Sequence, residues 1–76
     1  MPNTAPHMLP EQWLHTVFSV QAVNKGGVIR RSVYDIERIV GRQAFVAELK
    51  RRGFRAVENG GQFVIFCNQE DIKIVT

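Results

Sequence analysis

Beyond Pro10 the apolar positions fall into short runs whose spacing changes from one run to the next, with glycine or asparagine between most of them. Pro10 suits the first position of a helix, and Glu11-Gln12-Trp13-Leu14-His15 continues it as a short helical turn docked through Trp13 and Leu14. Val17-Phe18-Ser19-Val20-Gln21-Ala22-Val23 is rich in β-formers and places Phe18, Val20 and Ala22 on one face, which predicts a strand. Asn24-Lys25-Gly26-Gly27 is turn chemistry, and Val28-Ile29-Arg30-Arg31 follows as the return strand. Residues 17–31 therefore read as a hairpin.

Ser32 fits a helix N-cap, with Asp35 at the position where Glu or Gln would complete a capping box. Val33, Ile36, Ile39 and Val40 follow at helical spacing, Gly41 interrupts, and Ala44, Phe45, Val46 and Leu49 resume the pattern. On one straight helix the second set would point roughly 140° from the first, at about 100° per residue. Two helices broken at Gly41 remove that conflict. The second ends at Gly53, a left-handed C-cap, with Lys50, Arg51 and Arg52 at the negative end of the helix dipole.

Phe54-Arg55-Ala56-Val57-Glu58 and Gln62-Phe63-Val64-Ile65-Phe66-Cys67 read as strands joined by Asn59-Gly60-Gly61, the clearest hairpin turn in the chain. The second of them is apolar on both faces, as a central strand is. Ile72-Lys73-Ile74-Val75 alternates as a last strand. The expected fold is α+β: an antiparallel sheet of four or five strands with two short helices packed on one face, in the order ββααβββ after a short N-terminal helical turn. Val64 and Phe66 leave the opposite sheet face partly apolar. Residues 1–9, with three prolines among the first ten, read as a flexible arm and not as a signal peptide; residues 10–76 form the single domain. Ala22-Val23-Asn24-Lys25-Gly26-Gly27 and Ala56-Val57-Glu58-Asn59-Gly60-Gly61 agree at four of six positions, an echo that convergent hairpin chemistry explains.

At 76 residues the chain has room for one domain, and no run approaches the ~20 apolar residues of a bilayer span. One cysteine, Cys67, allows no internal disulfide and points to a reducing compartment, the cytoplasm. His7, His15 and Cys67 are the only soft or imidazole ligands and form no zinc spacing, so no metal or other cofactor is expected. Cys67 ends an apolar strand, where a thiol acts as a small hydrophobe. Neither Gly-Gly pair opens a helix, so neither is a phosphate loop. No enzyme signature is present, and the expectation is a protein without catalytic activity.

Ten Lys and Arg against seven Asp and Glu give a net charge of +3, and the basic residues are the strongest remaining signal. Arg30 and Arg31 end the first predicted hairpin. Arg38 and Arg42 flank the Gly41 break, and Lys50, Arg51, Arg52 and Arg55 cluster about Gly53. Tyr34 falls off the apolar face of its helix beside Arg38, a pairing common at protein interfaces. The candidate binding residues are Arg30, Arg31, Tyr34, Arg38, Arg42, Lys50, Arg51 and Arg55.

Two helices followed by a hairpin also give a winged-helix-like reading of residues 33–67, with residues 42–52 as recognition helix and Arg42, Gln43, Lys50 and Arg51 towards a groove. Its wing carries Glu58 and Asn59 and no cation at the tip. In size and in poverty of motifs the chain resembles small stand-alone inhibitors of mobile elements, the anti-CRISPR type. That resemblance implies stoichiometric blocking of a nucleic-acid-handling protein complex. The expected partner is thus a protein or nucleoprotein complex, with nucleic acid itself as the alternative and no membrane. The chain is expected to be a monomer, or a homodimer paired through residues 72–75, where Lys73 opposes edge pairing.

Overall fold

A computed structural model describes residues 9–76; expectations for the N-terminal arm lie outside the described residues except at Leu9. The elements are α1 (Pro10–Val17), α2 (Gln21–Asn24), β1 (Val28–Ser32), α3 (Val33–Ile39), α4 (Arg42–Arg52), β2 (Arg55–Asn59) and β3 (Gln62–Phe66). The fold is α+β. Its sheet is antiparallel with three strands in the order β1-β3-β2, so β3 is central as its two apolar faces require.

Two expected strands are absent from the sheet, which corrects the four- or five-stranded expectation. Residues 17–23 end α1, turn, and form the single helical turn α2. Val17 and Phe18 are adjacent in sequence and both buried in the same core. A strand would send them to opposite faces, whereas with Leu14 they sit at helical positions i, i+3 and i+4. Phe18 lies parallel to Phe45 with centroids 6.5 Å apart and is tilted against Phe54 at 5.8 Å, which fixes the end of α1 over the sheet. Residues 72–75 have no strand partner, and Ile74 and Val75 are 83% and 93% exposed. Ile74 and Val75, which bury little, gain too little to offset the entropy of ordering a strand.

The other elements follow their local signals. Ser32 Oγ accepts from Asp35 N at 3.1 Å and caps α3, while Asp35 turns its carboxylate to Arg38 at 3.2 Å instead of reaching back. Gly41 separates α3 from α4 at φ 94° and ψ 145°, a conformation close to glycine-only territory. Gly60 and Gly61, at φ 58° and 77°, form the two-residue turn that joins β2 to β3 with Asn59 opposite Gln62.

All helices lie on one face of the sheet. Ile29, Phe63, Ile65 and Cys67 meet Leu14, Val17, Val23, Ile36, Phe45 and Leu49 there. Phe45, fully buried, packs on Phe63 with ring centroids 4.7 Å apart. Register puts Val28, Arg30, Arg55, Val57, Val64 and Phe66 on the opposite face, which is partly apolar as expected. Beyond β3, Cys67 N donates to Gly27 O and Asn68 Nδ2 to Gly26 O, both at 2.9 Å, which ties the start of the C-terminal segment to the turn before β1.

Candidate functional site

Half of the ten Lys and Arg residues are engaged by neighbouring acids. Arg38 pairs with Asp35 and lies 5.6 Å from the Tyr34 ring centroid. Arg42 bonds Glu37 and Glu58, each at 2.7 Å, with its guanidinium 5.2 Å from the Phe63 centroid. These contacts, Glu58 first, push the Arg42 pKa further up, so it stays charged at any accessible pH. Arg51 and Arg52 both pair with Glu48. Arg52 also lies over the Phe18 ring, which makes it a lid on the core rather than a free cation.

The eight candidate residues do not form one face. Arg30 stands on the helix-free side of the sheet, 3.4 Å from Gln62 Oε1, while Arg31 alternates to the helix side and donates to the Arg30 carbonyl. Tyr34 and Arg38 lie together on α3, and Arg51 faces a small cleft against α1 with Glu11 and His15. Arg42, Lys50 and Arg55 come together at a single groove of about 740 Å³ between α4 and β2.

That groove is built by α4, by the Gly53-Phe54 turn and by the edge strand β2. Arg42, Val46 and Lys50 follow one another at i, i+4 and i+8 along α4 and form its helical wall. Phe45, Leu49, Phe54, Ala56 and Phe63 supply an apolar floor. Arg55, Val57 and Glu58 form the strand wall, and Gln69 from the C-terminal segment closes the end nearest Gly53. The charges are unevenly spread. Arg42 and Glu58 neutralise each other at one end, while Lys50 has no ion-pair partner among the described residues. Arg55 reaches only the exposed Asp71, at 3.8 Å, a contact of small energetic weight. The end towards Gly53 is therefore electropositive.

Sequence patterning put Phe45, Val46 and Leu49 into one apolar set and could not separate core from groove. Phe45 and Leu49 are buried, whereas Val46, one position off their stripe, is 37% exposed. Cys67 is buried, and burial pushes its thiol pKa up, the opposite of an activated nucleophile. Among the described residues no helix is long and apolar enough to cross a membrane, and no three His, Cys, Asp or Glu side chains are grouped as a metal site. Comparison with protein-family models, curated proteins and solved structures finds no match to this chain.

Proposed function

We propose that this chain is a non-enzymatic, stoichiometric binding protein, an inhibitor or regulator that blocks a nucleic-acid-handling protein complex of the anti-CRISPR kind. Its working surface on this reading is the α4–β2 groove. The observation that carries it is the apolar floor with Lys50 and Arg55 at one end. Burial of apolar area supplies affinity, and incompletely compensated cations select an acidic partner and steer its approach. The choice of a nucleic-acid-handling target rests on the resemblance in size and motif poverty.

Binding of duplex through α4 has less support. Arg42, Arg51 and Arg52 are held by acids, which leaves Lys50 as the unpaired cation of that helix among the described residues. Phosphate tracking needs several cations free at once.

Expression of the chain in bacteria whose CRISPR interference rejects a targeted plasmid should restore transformation. Lys50→Glu with Arg55→Glu should abolish the effect while leaving the thermal transition in place. Full activity of that variant would remove the groove from the reading. In parallel, anisotropy with labelled duplex and single-stranded DNA should show no salt-sensitive binding. Micromolar affinity with a log–log salt slope of roughly 0.9 per phosphate contacted would replace the inhibitor with a DNA-binding regulator.

A further inference from the structure

The hydrogen-bond parity of the sheet identifies which backbone groups face the groove. Cys67 N donates to Gly27 O at 2.9 Å and Val33 N to Gly61 O at 3.0 Å, on either side of the pairs Ile29–Ile65 and Arg31–Phe63. In an antiparallel ladder the bonded pairs alternate, so the odd-numbered residues of β3 bond β1. Gln62, Val64 and Phe66 must then bond β2 through Asn59, Val57 and Arg55. Ala56 and Glu58 are left with N–H and C=O directed away from β3, out of the free edge of β2. Among the described residues, neither amide has another backbone partner. Their side chains lie on the helix side, so this row of donors and acceptors runs along the strand wall of the α4–β2 groove.

From this we infer that the groove binds an extended acidic–apolar peptide segment of a partner protein, which adds to the sheet as a fourth strand beside β2. The inference rests on the groove reading proposed above and specifies its chemistry. The five residues of β2 offer about 17 Å of edge at about 3.4 Å per residue, enough for a strand of similar length. Alternate peptide side chains would descend on Val46 and Leu49, and the intervening ones would extend the open face beside Val57. At the Gly53 end a peptide carboxylate on the helix side would meet Lys50, and one on the open face would meet Arg55. Main-chain bonds then give affinity, and the floor and cations give selectivity, as in other β-strand additions.

β2 carries neither a proline nor a bulge to block pairing along this edge.

The test is selection of random dodecapeptides displayed on phage against the immobilised full chain, followed by amide exchange with a selected synthetic peptide. Enriched peptides should carry Val, Ile or Phe at alternate positions and Asp or Glu at the end that meets Lys50 and Arg55. The bound peptide should slow exchange at the Ala56 and Glu58 amides by about tenfold or more. N-methylation of one alternate set of peptide residues should abolish binding while the other set tolerates it. Lys50→Glu with Arg55→Glu should weaken binding at least about tenfold, by loss of two charge contacts.

Enrichment of basic peptides, or binding that leaves both amides exchanging as in the free chain, would overturn the strand addition. So would concentration-dependent protection of these amides without peptide, which would indicate a second copy. If plasmid transformation is still restored in any of those cases, the inhibitor reading stands and only this mode of docking falls.

Discussion

Glu48 joins the last turn of α4 to its two arginines, and its titration should change stability within a defined pH window. The carboxylate accepts from Arg51 Nε and Nη2 at 3.0 and 2.6 Å and from Arg52 Nε. These bonds, Arg51 first, hold its pKa at about 2 against an ordinary 4.5. At about 1.4 kcal/mol per pH unit that gap sets a ceiling of roughly 3 kcal/mol. Arg51 is 68% exposed and Glu48 19%, so water and salt screen the pairs and the contribution is nearer to about 1 kcal/mol.

Because folding lowers this pKa, the stabilisation is complete above the unfolded value near 4.5 and is lost as pH falls through about 2. Glu48→Gln removes the charge at every pH. Urea unfolding followed by Trp13 fluorescence should therefore place the variant about 1 kcal/mol below the parent at neutral pH and low salt. The two should converge between about pH 4.5 and 2, and added salt should narrow the gap at neutral pH. A difference that persists unchanged to pH 2, or none at neutral pH, would refute the ion-pair origin.

Two further outcomes follow from the backbone and the core. A Cβ at Gly41 would meet nothing within 4 Å, so Gly41→Ala tests conformation alone and should cost about 1–3 kcal/mol in urea unfolding with the ladder and core intact. No loss would show that α3 and α4 can be joined without a positive φ. Cys67, buried and with its thiol pKa raised, should react with Ellman's reagent only as fast as the fold opens, and immediately in denaturant. Rapid native labelling would contradict its place under the helices.

Local signals placed much of this fold. Ser32, Gly41 and Gly53 set the bounds of α3 and α4, and Gly60-Gly61 set the β2–β3 hairpin, because each acts through the backbone of its immediate neighbours. The candidate site was less legible. Arg42, Lys50 and Arg55 were identifiable as cations, but their meeting at one groove depends on α4 lying beside β2. Which cations are already neutralised was hidden too. Arg42 and Glu58 are sixteen residues apart in the chain and meet only because α4 turns back at Gly53 into β2.

The six-residue echo separates what the sequence determines from what the tertiary structure decides. Ala56-Val57-Glu58-Asn59-Gly60-Gly61 is strand and hairpin turn; Ala22-Val23-Asn24-Lys25-Gly26-Gly27 is a helical turn and its exit. The glycines end an element in both places, and that much is local, since the turn backbone is open to glycine whatever precedes it. Whether the preceding Ala-Val becomes strand or helix is settled at a distance. Val57 pairs with Val64 on the central strand, whereas Val23 is buried in a core already anchored by Val17 and Phe18 on the helical face. Sequence alone determined the break at Gly41, the turn at Gly60-Gly61 and how many charges the chain carries. Only the packing decided which apolar runs join the sheet, because a strand needs a free edge to bond and a helical turn completes its own hydrogen bonds.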